Sequence, residues 1–208
     1  MAKIWLGDFR LKQLQHYHSR VADVSIAEYS YLINDYASFY WFKDEAVTLI
    51  SQLGLSGSDV IISLGFNDCV YSCTWPTAFN ITTIANNYVK IINELIGQQS
   101  SVNFYVCSVA PVDADYPFAP YENGGIIPVK KLNAAIEKFN KVLEQADTFT
   151  YVNTYKYLTS TGFDTRDGTR FTFDICSSLN NYITGHIKTQ AGVSAAGFIT
   201  RDTMDKAP

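Results

Sequence analysis

The sequence has little excess charge of either sign and no long apolar run. Its 208 residues carry 16 Lys and Arg against 20 Asp and Glu, a formal net charge of −4. Without a basic run, the chain lacks the electrostatic footprint of a nucleic-acid binder or of a protein held on membranes by clustered lysines. No stretch approaches the roughly 18 consecutive apolar residues of a membrane helix, so we expect no membrane insertion.

Cysteine is also scarce. The four cysteines, Cys69, Cys73, Cys107 and Cys176, are too few for a disulfide scaffold. Cys69 and Cys73 have a C-x3-C spacing, but no second pair and no histidine cluster completes a zinc site. We therefore expect no metal and no cofactor, and the spacing leaves free thiols or one disulfide open.

The length and the 47% apolar content indicate one globular domain with a short surplus. We assign residues 1–190 to that domain and residues 191–208 to a tail or linker, because the last stretch has little hydrophobic periodicity. No export signal is visible, so the sequence leaves the compartment undetermined.

Short apolar runs alternate with amphipathic stretches along the chain. Five runs predict strands: residues 3–6, 21–27, 59–64, 102–109 and 149–152. Four amphipathic stretches predict helices: residues 44–53, 81–96 (stopped by Gly97), 129–143 and 174–187. Residues 114–128, rich in Pro, Gly and Tyr, predict a long loop. This alternation favours a three-layer α/β/α domain with a mainly parallel five-stranded sheet.

Three motif blocks stand where ligands bind in parallel sheets, beyond the carboxyl ends of the strands. Residues 7–10 (Gly-Asp-Phe-Arg) follow the first run, and residues 65–68 (Gly-Phe-Asn-Asp) follow the third. Residues 167–170 (Asp-Gly-Thr-Arg) precede the last helix. We expect four side chains from these blocks to converge: Phe9, Asn67, Asp167 and Arg170.

In order, spacing and strand context, the blocks resemble those of the SGNH (GDSL-like) hydrolase family over roughly residues 3–187. The family's blocks are Gly-Asp-Ser, Gly-x-Asn-Asp and Asp-x-x-His. The resemblance implies a flavodoxin-like α/β/α fold and ester hydrolysis by a serine nucleophile, with a histidine base oriented by an aspartate. It also implies a weak preference for an extracellular or cell-surface location.

Two positions depart from the family's chemistry. Phe9 stands where the family has its serine, and Arg170 stands where it has its histidine, whereas Asp167 and the oxyanion Asn67 are retained. A phenyl ring cannot attack a carbonyl, and an arginine cannot act as a base near neutral pH. The sequence therefore predicts a catalytically degenerate domain, a pseudoenzyme with a binding or scaffolding role.

The ligand of such a domain is open between a glycan, an acylated small molecule and a protein partner. Candidate ligand-binding residues are Asp8, Arg170, Tyr40, Trp41 and Trp75. Aromatic rings can stack on sugars, and an arginine can bind a carboxylate or phosphate. Two structural interpretations compete: Asp8 also fits a helix cap, and Arg170 also fits a salt bridge with Asp167.

Two other functions stay open at this point. One is an active carbohydrate or lipid esterase with a rearranged site, for which Cys69, two residues beyond Asn67, is the candidate nucleophile. The other is a purely structural module of a larger assembly. The histidines offer no replacement base by position: His16 and His18 lie near the first block, and His186 lies late in the last predicted helix.

Overall fold

Five parallel strands form the central sheet. A computed structural model of the chain describes residues 3–8, 10, 13–14, 24–27, 57–121 and 125–187. The described residues contain seven strands in two sheets: β1 (Lys3–Gly7), β2 (Val24–Ala27), β3 (Asp59–Ser63), β4 (Asn103–Cys107), β5 (Phe118–Tyr121), β6 (Gly125–Pro128) and β7 (Thr150–Val152). The sheet has the order β2-β1-β3-β4-β7, and β5 pairs with β6 in a separate two-stranded sheet.

Helices connect and cover these strands. They are α1 (Phe66–Thr74), α2 (Ile81–Gln98), α3 (Val129–Glu144), α4 (Thr154–Thr161) and α5 (Phe173–His186). Every pairing in the five-stranded sheet is parallel. The predicted α/β class with a mainly parallel sheet is therefore confirmed. Within the described ranges, no helix is long and apolar enough to cross a bilayer.

The sheet is buried on both faces. Alternate residues of a strand point to opposite sides, and Ile4 and Leu6 pack with α1, α2 and α3, whereas Trp5 packs with α4 and α5. All three side chains are essentially inaccessible to solvent. Burial on both faces explains why the strands appear as continuous apolar runs rather than as alternating ones.

The prediction of a loop over residues 114–128 is wrong for two short segments, which form the strands β5 and β6. β5 and β6 form an antiparallel hairpin there, with Phe118 opposite Pro128 and Ala119 opposite Ile127. Its prolines hide the strands in the sequence, although proline is tolerated in edge strands such as these. The helices α1 and α4 were not predicted either, because helices of nine and eight residues show little periodicity.

Other boundaries moved only slightly. The helix predicted to stop at Gly97 continues through it to Gln98. The predicted helix over residues 44–53 and the predicted tail over 191–208 lie outside the described residues.

Gly65 makes the sharp turn from β3 into α1. Its φ is 115°, a left-handed conformation that side-chain-bearing residues rarely adopt. A Cβ there would lie 2.5 Å from Cζ of Phe139 on α3, well inside van der Waals contact. The glycine of the Gly-Phe-Asn-Asp block is therefore required by the packing of α3 against the start of α1.

Side-chain amides of α3 fix the segment that follows β4. The amide of Asn140 donates to the carbonyl oxygen of Val109 and accepts from its N–H, both at 2.8 Å. Asn133, seven residues earlier on the same helix, makes the same pair of bonds with Val112 at 2.9 Å. The chain between these two anchors is thereby held at the carboxyl edge of the sheet.

Candidate functional site

Arg10 lies where the three motif blocks meet. Its side chain is only 5% exposed, and its two terminal nitrogens donate to the carbonyl oxygens of Ala110 (2.5 Å) and Pro111 (3.1 Å). The guanidinium carbon lies 4.1 Å from the centre of the Phe66 ring and 5.0 Å from that of Phe171. One buried cation therefore joins the block after β1, the block after β3 and the residue that follows the last block.

Asp8 is buried beside Arg10 and acts on backbone groups. Its Oδ1 accepts from the N–H of Arg10 (3.1 Å), and its Oδ2 accepts from the N–H of Phe66 (3.3 Å). The second bond places the carboxylate at the N-terminus of α1, where the helix dipole favours negative charge. Burial raises the pKa of Asp8 to about 6, against the opposing effect of these bonds and of the Arg10 charge.

Arg10 remains a cation at neutral pH. Burial lowers its pKa to about 10, and the charges of Asp8 and Asp167 oppose that shift. Asp167 thus lies within electrostatic range of Arg10, which brings the last block to the same edge of the sheet as the first.

The carboxylate of Asp167 stabilises the turn formed by residues 167–170. Its Oδ1 accepts from the N–H of Thr169 (3.0 Å), the hydroxyl of Thr169 (2.8 Å) and the N–H of Arg170 (2.8 Å). Its Oδ2 lies 3.1 Å from Nη1 of Arg170, whose side chain is 65% exposed. Partial burial raises the pKa of Asp167, but these hydrogen bonds and the arginine outweigh it, and the net shift is downward.

Phe171 is held in place by a third amide pair. The side chain of Gln13 donates to the carbonyl oxygen of Phe171 (2.8 Å) and accepts from its N–H (3.2 Å). The ring is fully buried and packs edge-on against Phe163 at 6.0 Å. The aromatic wall on this side of Arg10 is therefore fixed by the region after β1.

Among the described residues, a small cavity adjoins Arg10. It has a volume of about 20 Å³, and its lining includes Asp8, Arg10, Phe171, Ser63, Ser108 and Thr154. That volume accommodates about one water molecule. It is far below the roughly 300 Å³ at which small-molecule sites begin.

The predicted site residues are only partly brought together. Asn67 is half-buried in the first turn of α1, directly after Phe66. Trp75, 49% exposed, stacks on Tyr71 at 5.1 Å at the far end of α1. It is nine positions further along the chain than Phe66, which on a helix is about 13 Å. The structure therefore does not bring Trp75 to the Arg10 site. Three predicted residues lie outside the described part: Phe9, Tyr40 and Trp41.

The replacement nucleophile suggested by the sequence is not placed for chemistry. Cys69 is completely buried, and burial raises the pKa of its thiol well above the ordinary value. A thiol that stays protonated is a poor nucleophile. Cys69 and Cys73 are both free thiols, so the disulfide left open by their spacing does not form.

A replacement base is not provided at this site by His186. Its ring is exposed at the last residue of α5, with Nδ1 2.8 Å from the carbonyl oxygen of Tyr182. The start of α5 adjoins the last block, and a helix of 14 residues puts His186 about 20 Å beyond it. His16 and His18 lie outside the described residues. In the described part of the chain, no group of three or more His, Cys, Asp or Glu side chains could hold a metal ion.

Sequence reasoning missed Arg10, Phe66 and Phe171. Phe66 and Phe171 are adjacent to motif residues, but a phenylalanine after a strand or before a helix is ordinary core material. The sequence offered one signal for Arg10, its position in the block directly after a buried strand. An arginine that is buried at such a position needs paired groups around it, because buried arginines are rarely unpaired.

Comparisons with known proteins identify the fold of the chain through its structure and not through its sequence. No family model matches the chain, and no curated protein matches it in sequence. A lipolytic protein of the G-D-S-L family from Veillonella parvula matches in structure at a TM-score of 0.56, with 10% identity, over 90% of this chain and 98% of its own. The chain has the SGNH (GDSL-like) hydrolase fold.

Two further SGNH-fold structures agree with that assignment. A lipase from a goat rumen metagenome has a TM-score of 0.58 and 10% identity, covering 88% of this chain and 95% of its own. An acetyl-xylooligosaccharide esterase from Geobacillus has a TM-score of 0.55 and 10% identity, covering 92% and 96%. At such low identity the likeness concerns the SGNH fold alone, and it confirms the resemblance drawn from the three motif blocks.

Proposed function

We propose that this SGNH-like domain does not hydrolyse esters and serves instead as a binding or scaffolding domain. The observation that carries the proposal is the position of Arg10, held between the rings of Phe66 and Phe171 where the three motif blocks meet. The cavity that the described residues leave beside Arg10 holds about one water, which is too little room for an ester.

The residue chemistry supports the same conclusion. Phe9 and Arg170 stand at the serine and histidine positions of the family's blocks, so these two positions supply neither a nucleophile nor a base. General acid–base catalysis alone contributes roughly 10²–10⁴-fold. The retained Asn67 can stabilise an oxyanion only after another group has attacked the carbonyl.

The retained aspartate, Asp167, bonds to groups of its own turn. Both oxygens of Asp167 accept hydrogen bonds or pair with charge within its own turn. In a catalytic triad this carboxylate would orient an imidazole. Here it stabilises the turn that carries Arg170, which is a structural role.

Ester hydrolysis is the competing function, because the proteins of similar fold include a lipase and an acetyl-xylooligosaccharide esterase. The test is the hydrolysis of p-nitrophenyl acetate by the folded chain, with heat-unfolded protein at the same concentration as background. We expect the two rates to agree. The reaction is repeated with Cys69→Ala and Asn67→Ala, which isolate the remaining candidate nucleophile and the oxyanion residue.

Hydrolysis above that background, reduced in either variant, would overturn the proposal and establish an esterase with a rearranged site. The double variant Phe9→Ser, Arg170→His restores the two motif residues. We expect at most a trace of activity from it, because Arg10 still fills the meeting point.

A further inference from the structure

A groove crosses the solvent-facing side of α3, and its lining residue Tyr116 packs against Gly168 of the last motif block. Its volume is about 520 Å³, within the range of roughly 300–1,000 Å³ typical of ligand sites. A stripe of residues three, four and seven apart on α3 forms its floor: Lys130, Asn133, Ala134 and Glu137. Tyr116, Pro117 and Tyr155 form its walls, and both tyrosines are half-buried because they also pack against the core.

The walls of this α3 groove are fixed to the framework. The carbonyl oxygen of Pro117 accepts from the N–H of Val129 at the start of α3 (3.1 Å). Tyr116 packs so closely on Gly168 that a Cβ there would lie 3.0 Å from the Cβ of the tyrosine. The N–H of Tyr155 donates to a buried serine hydroxyl 2.8 Å away. A groove with fixed walls loses little conformational entropy when a ligand binds.

The polar groups of the groove form a mixed set. The hydroxyl of Tyr155 donates to Oε1 of Glu137 at 2.7 Å. That bond orients the phenol and leaves its oxygen, together with the second carboxylate oxygen, as acceptors. Burial, followed by the Glu137 bond, raises the pKa of Tyr155, so the donor persists throughout the physiological range. The ammonium of Lys130 supplies donors seven residues away, about 10 Å along the helix.

This set selects among ligand classes. One cation and one anion leave the groove without net charge, so it gives no advantage to phosphate or nucleic acid, which need clustered positive charge. Three of the four floor residues, Lys130, Asn133 and Glu137, are polar, whereas an amphipathic helix needs apolar pockets for its anchors. A polyhydroxylated ligand needs donors, acceptors and aromatic rings together, and the groove offers all three.

We propose that the α3 groove binds a short neutral oligosaccharide, held by Tyr116, Tyr155, Glu137 and Lys130. This deepens the binding role proposed above and rests on it. The ligand lies along α3 between the two tyrosine walls, with its hydroxyls hydrogen-bonded to Glu137 at one end and to Lys130 at the other.

The test is a titration of the ¹⁵N-labelled full chain with three neutral probes: cellotriose, xylotriose and triacetylchitotriose. We expect at least one probe to shift the amide signals of Ala134 and Tyr155 in a saturable way. Ala134→Trp fills the floor of the groove and should abolish those shifts. Lys138→Trp, on the same helix but outside the groove lining, should leave them unchanged. Glu137→Gln should weaken binding about fivefold, and Glu144→Gln should not.

Three outcomes overturn the inference. They are the absence of shifts at the groove with all three sugars, shifts that survive Ala134→Trp, and groove shifts produced only by hexaglycine or inorganic phosphate. The ester assay is read independently of these titrations. A chain that binds no sugar and hydrolyses no ester refutes the groove assignment alone, whereas ester turnover refutes the proposed function.

Discussion

The guanidinium carbon of Arg10 lies 4.1 Å above the ring of Phe66, so a cation from the end of β1 packs on the first residue of α1. A desolvated contact of this kind contributes about 2 kcal/mol. Because the same guanidinium also donates to two carbonyl oxygens of the chain after β4, it holds three segments together at the carboxyl edge of the sheet. This contact therefore stabilises the fold where the motif blocks lie.

Removing this arginine should destabilise the protein strongly. Arg10→Met leaves the carbonyl oxygens of Ala110 and Pro111 without their donors and Asp8 without its counter-charge, so we expect the free energy of unfolding to fall by about 3 kcal/mol. Arg170→Met is the matched control, because Arg170 is largely exposed and such pairs contribute less than about 1 kcal/mol. Urea denaturation of both variants measures the difference, and equal losses would contradict the buried role of Arg10.

The buried carboxyl of Asp8 should make stability depend on pH in an unusual direction. Its pKa is about 6 in the folded chain against an ordinary value of 3.8, so between these values the folded state binds more protons than the unfolded state. Its contribution to the free energy of unfolding is therefore full below about pH 4 and is lost as the pH rises through 6.

Asp8→Asn isolates that contribution, because the asparagine side chain does not titrate. The free energy of unfolding of the wild type minus that of the variant should decrease from pH 4 to pH 6.5 and then level off. Urea titrations at half-unit intervals measure it. A difference that increases with pH would mean that hydrogen bonding outweighs burial at this carboxyl.

Gly65→Ala should be among the most damaging substitutions of a small residue. It places a Cβ 2.5 Å from the Phe139 ring at a φ of 115°, and we expect a loss of more than about 2 kcal/mol. Gly97→Ala is the control, since that glycine lies within α2 with nothing within 4 Å of the new Cβ. It should stabilise the chain by about 0.5–1 kcal/mol. Thermal melts compare the two, and a tolerated Gly65→Ala would refute the steric account of the motif.

The parallel sheet could be predicted because its strands are buried on both faces. Continuous runs such as Asp59–Ser63 need no alternation to be recognised, and the intervening helices imply their parallel pairing. The hairpin of β5 and β6 could not be predicted, since four-residue strands containing proline have no periodic pattern. The helices α1 and α4 were missed for a similar reason, because they are too short to show a helical period in the sequence.

The carboxyl ends of parallel strands share one edge, so the sequence predicted that the segments after β1 and β3 lie together, and Asp8 bonds the N–H of Phe66 there. The convergence of Phe9, Asn67, Asp167 and Arg170 stays a prediction, because Phe9 lies outside the described residues. Trp75 was misplaced by the same reasoning. It is close in sequence to Asn67, but α1 intervenes and carries it about 13 Å away. Sequence proximity is a poor guide once a helix separates two residues.

By itself, the sequence determined that Phe9 and Arg170 stand in the first and last motif blocks, since residue identity needs no structure. Only the tertiary structure decided that Arg10 is buried and Arg170 exposed. Both are arginines beside motif residues, and no local pattern distinguishes them. The carbonyl oxygens that solvate Arg10 come from a segment 100 residues further along the chain. A buried charge is stable only where such partners are assembled, and folding alone brings them together.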